Sequence, residues 1–130
     1  MVNYIVSDFI AKLNIARRNK LKTIIIIPTT KILELLDAFE KLGIIRGYII
    51  NDEYKIEIML RYHRGKCAFN QLFVVSKPSR RINVDLLNLH KFKEKYSSDV
   101  LLLLTSKGLM FDNDCLKYKL GGQILLRISF

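Results

Sequence analysis

The 130-residue chain has no tryptophan and only two cysteines, two histidines and two prolines. Cys67 and Cys115 lie far apart, and neither has a Cys or His at metal-ligand spacing. That excludes a disulfide framework and a zinc ribbon, and with His63 and His90 isolated, neither a metal nor a cofactor is expected. Long apolar runs are also missing: the longest are Ile24–Ile27 and Val100–Leu104. A membrane-spanning helix needs ~20 apolar residues, so these runs read as buried strands and no membrane partner is expected. Asp8, Lys12, Arg17 and Arg18 interrupt the first twenty residues, which therefore read neither as a secretory signal nor as an import sequence. Acid is scarce too, with 12 Asp and Glu against 22 Lys and Arg.

What is present is an amphipathic, aliphatic-rich chain, half of it hydrophobic. Its length suits one compact unit or two small lobes sharing a core. Val6, Phe9, Ile10, Leu13 and Ala16 recur at helical spacing, with Ser7 or Asp8 expected as the cap and Arg17-Arg18 closing the helix. Thr23 to Ile27 reads as a strand stopped by Pro28. "TTKILELLDAFEKLG" is the clearest helix, capped by Thr29 or Thr30 and ended by Gly43. Ile44–Ile50 and Tyr54–Tyr62 read as a hairpin with one buried face. "HRGK" at 63–66 reads as a loop and the boundary. Beyond it, strands are expected over Ala68–Ser76, Val100–Leu104 and Gln123–Ser129. Short helices are expected over Leu86–Tyr96 and from a cap at Asp112 or Asn113 to Tyr118. The expected fold is α+β in two small lobes, α-β-α-β-β over residues 1–65 and mostly β with short helices over 66–130.

No arrangement points to catalysis. Ser106, His90 and Asp112 have no spacing that joins them into a triad, and Lys107-Gly108 lacks the rest of a phosphate loop. Neither an enzyme nor a small-molecule substrate is expected. Charge is more informative. Residues 1–60 hold nine Lys/Arg and seven Asp/Glu (9 − 7 = +2), whereas residues 61–130 hold thirteen and five (13 − 5 = +8). A surplus confined to one half suggests a polyanion-binding face. Three loops there share one chemistry. Ser76-Lys77-Pro78-Ser79-Arg80-Arg81 and Thr105-Ser106-Lys107-Gly108 combine cations for phosphates with hydroxyls for base edges and sugars, and Gly121-Gly122 lets backbone approach closely. Each alone is explained as a turn; together, in a basic half, they point to RNA. The alternative class is a free-standing nucleic-acid-binding regulator.

These same residues resemble the universal small-subunit ribosomal protein eight family, in its bacterial and organellar form. The strongest parts are "TSKGLM" with "LGG" downstream, and "VSKPSRRI". Asp8-x-Ile10-Ala11, Arg18-Asn19, Pro28-x-x-Lys31 and Tyr62-x-x-Gly65 add weaker support. The resemblance implies a two-lobed α+β fold. It also implies direct binding to a central-domain helix of small-subunit ribosomal RNA, beside neighbouring small-subunit proteins. RNA contacts would fall on Thr105, Ser106, Lys107 and Gly108, with Ser76, Lys77, Pro78, Arg80, Arg81 and Gly122 in support. Arg17, Arg18, Asn19, Thr30 and Lys31 would add contacts from the first lobe. The chain departs from the family at Leu104 (usually Ser or Thr), Asn83 (usually Tyr), Gln123 (usually Glu), and Asn113 to Leu116, where basic residues are usual. Seventeen Ile and only four Ala suggest an AT-biased genome, so an organelle-encoded mitochondrial protein is the preferred expectation, with an AT-rich bacterium or a plastid as alternatives.

Overall fold

A computed structural model describes residues 4–51, 54–76, 80–96 and 98–130. The first half contains α1 (Tyr4–Arg18), β1 (Thr23–Ile26), α2 (Thr30–Leu42), β2 (Ile45–Ile50) and β3 (Ile56–Leu60). The second contains β4 (Tyr62–His63), β5 (Lys66–Cys67), β6 (Gln71–Val74), β7 (Asn83–Val84), α3 (Leu86–Lys95), β8 (Val100–Thr105), β9 (Gly108–Phe111), α4 (Asp112–Lys117) and β10 (Gly122–Ser129). This is the expected mixture of helices and antiparallel strands, with the second half mostly β.

The first half follows its periodicity. Val6, Phe9, Ile10, Leu13 and Ala16 are all buried along one face of α1. The helix begins at Tyr4, however, so Ser7 and Asp8 lie inside its first turns and neither caps it. Asp8 instead reaches Lys12 one turn on. In α2 the Thr29 hydroxyl accepts from the Ile32 amide at 3.3 Å, and Gly43 ends the helix in the left-handed region at φ 88°. Burying Ile32, Leu35, Leu36 and Phe39 stabilises α2 by about 1.5–3 kcal/mol per side chain relative to exposure. Three antiparallel strands in the order β1-β3-β2 complete this half. Their buried face is set by the alternation of Ile56, Ile58 and Leu60.

Tyr62 does not continue β3. It starts the β4-β5 hairpin, whose turn is Arg64-Gly65, and its hydroxyl donates to the Leu21 carbonyl at 2.6 Å. The expected loop at 63–66 is therefore a paired turn. The larger sheet runs β6-β10-β8-β9, with β7 pairing the start of β10. The expected strand over 68–76 is regular over Gln71–Val74, with the Asn70 and Val75 amides extending its bonds to Ser129 and Leu125. Its outer edge is closed by Asn14 of α1, whose side-chain amide both donates to and accepts from the Leu72 backbone at 2.9 Å. A polar residue beside Leu13 thus replaces a missing neighbouring strand.

The leucine run is buried on both faces because β8 lies between two cores. Leu102 joins the larger cluster with α1, α2 and the first sheet, to which Phe69, Leu72, Leu125, Leu126 and Ile128 also belong. Leu101 and Leu103 point the other way, into a second cluster with Leu89 of α3, Cys115 of α4 and Ile124. Alternation with period two explains why four consecutive leucines are needed: they serve two interiors from one strand.

Candidate nucleic-acid interface

β8 ends in a two-residue turn. Thr105 pairs with Gly108 across the hairpin, leaving Ser106 and Lys107 exposed at its tip. The strand β9 that follows is half-buried and too short to show a period, which is why only the first arm was legible in sequence. The Thr105 hydroxyl is buried inside the turn. It accepts from the Lys107 amide at 3.1 Å and donates to the Gly108 carbonyl at 2.9 Å. Gly108 has φ +98°, a conformation that L side chains rarely adopt. Thr105 and Gly108 thus shape the turn, and Ser106 and Lys107 present its chemistry.

Tyr118 stands beside this tip, 55% exposed. The Lys107 ammonium is 5.7 Å from its ring centre and that of Lys117 is 5.5 Å away. An exposed aromatic ring close to two cations offers stacking and charge together. It was missed in sequence because it lies thirteen residues beyond Thr105; the available signal was an aromatic set among Lys117 and Lys119 at the end of an amphipathic segment.

Ser76 is placed differently from the expected surface hydroxyl. It is fully buried, donates to the Ile124 carbonyl and accepts from the Ile82 amide at 2.9 Å. Its hydroxyl therefore ties Ser76 to Ile82 and to β10 rather than facing outward. Arg80 and Arg81 are exposed, whereas Lys77 and Pro78 lie outside the described residues. Gly122 is held close by the chain itself. A Cβ there would sit 2.4 Å from the Leu104 carbonyl oxygen, so glycine is required where the start of β10 lies against the end of β8. Of the departures from the family pattern, Leu104 is half-buried, and Asn83 is exposed opposite Gln123. The buried Gln123 amide nitrogen has no hydrogen-bond partner among the described residues.

The end of α1 forms a second basic region. Arg17, Arg18, Lys20 and Lys66 line one depression of about 500 Å³, with Arg17 donating to the Asn70 side chain at 2.8 Å. Arg18 and Asn19 are exposed. Thr30 is exposed at the start of α2, and Lys31 borders an apolar hollow with Leu104 and Leu109. The structure thus joins Arg17 and Arg18 to Lys66 of the second half, and brings Lys31 beside the β8–β9 hairpin.

Not every cation is available to a ligand. Lys93 pairs with Asp112 at 2.5 Å and donates to the Asp99 carbonyl at 2.7 Å. Arg127 pairs with Asp99 at 2.5 Å, its guanidinium 4.0 and 4.2 Å from the ring centres of Phe73 and Tyr96. Removing these two matched pairs leaves 11 − 3, still +8, over residues 61–130. Asp112, expected as a helix cap, sits instead in the first turn of α4. Phe111 holds the cap position without a side-chain bond.

Two exposed basic regions thus stand out, one at the end of β8 and one at the end of α1. Among similar proteins is "Small ribosomal subunit protein uS8m" of Acanthamoeba castellanii, 39% identical over 81% of this chain and 84% of its own length. "Small ribosomal subunit protein uS8" of Campylobacter lari is 30% identical over 98% of this chain and 99% of its own. The protein of the same name in Brucella anthropi is 31% identical over 95% of each. They define the class: structural proteins of the small ribosomal subunit, not enzymes. Within that class the chain belongs to the ribosomal protein S8 family, whose model matches residues 4–129.

Proposed function

We propose that this protein binds the central domain of small-subunit ribosomal RNA directly and supports folding of that RNA during subunit assembly. The observation that carries the reading is the exposed Ser106-Lys107 tip, mounted on a strand buried on both faces and flanked by Tyr118 and Lys117. A rigid mount fixes where a hydroxyl can donate and accept, which is what discrimination between RNA sites requires. Arg80 and Arg81, both exposed, supply phosphate contacts, and Arg17, Arg18, Asn19, Thr30 and Lys31 contact adjacent RNA from the first lobe. Similarity to a protein named uS8m supports a mitochondrial ribosome as the setting, alongside the Ile-rich composition.

Footprinting on purified small-subunit RNA tests this reading. Protection should fall on one central-domain helix and should be lost when Ser106 and Lys107 are both changed to alanine. Protection elsewhere, or equal binding to random RNA, would refute it.

A further inference from the structure

The face of α2 opposite its core carries charge of the wrong sign for RNA. Between α2 and the β8–β9 hairpin runs a groove of about 750 Å³. Leu104, Leu109, Met110 and Phe111, all half-buried, give it an apolar floor. A smaller hollow of about 130 Å³ shares Leu104 and Leu109 and reaches Val6 and Leu125. Around the larger groove stand Glu34, Asp37 and Glu40 of α2 and Asp114 of α4, all exposed. The three on α2 are spaced by three residues, which keeps them along one side of the helix. Asp37 is held in place by the Tyr48 hydroxyl, which donates to it at 2.6 Å. None of the four is in an ion pair among the described residues, and Lys41 is the one cation lining the groove.

We infer that this groove is a docking site for a basic, partly apolar segment of a neighbouring protein of the small subunit. Four of the chain's twelve acidic residues gather here, in a protein of net charge +10. Phosphate would be repelled by them, so RNA does not fit. A protein sharing the same RNA carries surplus Lys and Arg to neutralise phosphates. Such a side chain lays its methylene stem on the apolar floor while its charged head reaches a carboxylate. Charge opposite to the rest of the surface also fixes which face the partner meets. The inference rests on membership of a small-subunit family and not on the RNA contacts proposed above.

Lys41, exposed at the groove, is replaced by p-benzoylphenylalanine, and purified small subunits carrying the variant are irradiated. The cross-linked partner is identified by mass spectrometry. The expected product is another subunit protein, joined through a segment containing several Lys or Arg with an apolar residue among them. Adding Glu34→Lys and Glu40→Lys should lower the yield severalfold, and Glu34→Gln with Glu40→Gln should lower it less. Thermal midpoint and affinity for isolated small-subunit RNA are controls. Both glutamates are exposed, so the midpoint should hold and RNA affinity should stay or rise. A cross-link to ribosomal RNA, to a second copy of this chain or to no protein would overturn the inference, as would a yield indifferent to charge reversal. Failure of the parent protein to bind isolated RNA would strike the RNA-binding reading instead, and the cross-link in the subunit would still decide this one.

Discussion

Thr105 and Ser106 are adjacent hydroxyls with opposite duties. Thr105 is spent within the turn, so Thr105→Val should cost about 0.5–1.5 kcal/mol of stability per bond by removing those to the Lys107 amide and the Gly108 carbonyl, read in a denaturant melt. Ser106 is exposed, so Ser106→Ala should leave the thermal midpoint unchanged while reducing discrimination between target and random RNA. Lys107→Ala should instead weaken binding to any RNA and reduce the salt slope by about one contact. At Tyr118 the ring matters more than its hydroxyl. Tyr118→Phe should bind RNA normally, whereas Tyr118→Ala should lose about 1–3 kcal/mol of binding in a titration. Cys115 offers a pH test. Burial, reinforced by Asp112 and Asp114, raises its thiol above the ordinary value. The folded state therefore keeps a proton that the unfolded state releases above about pH 8.5. The contribution of this thiol to stability should be constant below that pH and should be lost as pH climbs toward the raised folded value. Urea melts of the parent and of Cys115→Ala should differ in this slope; equal slopes would show that another group is responsible.

At the scale of elements, long periodic segments were legible in sequence and short paired ones were not. Five apolar positions mark α1, and Thr29 with Gly43 marks both ends of α2, because a helix several turns long repeats its signal. β4, β5 and β7 span two residues each, and no period can show in two residues. The same limit applied to the site. The Thr105–Gly108 cluster was visible as composition at a strand end. The burial of Ser76, the internal pairing of Lys93 and Arg127, and the place of Tyr118 depend on contacts between distant segments. The leucine strand was recognised as buried, but its division between two cores was not. Leu102→Ala and Leu103→Ala should each cost about 2–5 kcal/mol by opening different cavities. Because the two side chains pack into different clusters, the double variant should lose nearly the sum, measured by denaturant melts.

For the whole molecule, charge is the property read most directly from sequence, and internal pairing leaves its asymmetry intact. If residues 61–130 neutralise roughly six phosphates, RNA affinity should fall by about three decades between ~50 and ~200 mM salt. An affinity indifferent to salt would contradict this, whatever the fate of Ser106. The placement of β10 has a consequence for how the chain is made. Synthesis proceeds from the N-terminus at about 5–20 residues per second, and domains usually fold as they emerge. Here Leu125, Leu126 and Ile128 of the last strand fill the same interior as Phe9, Leu36 and Ile58 of the first half. The early helices cannot finish packing while β10 is still inside the ribosome that translates it. Each new copy must bring Leu125, Leu126 and Ile128 clear of that machine before its first half can settle and the protein can take its place in another.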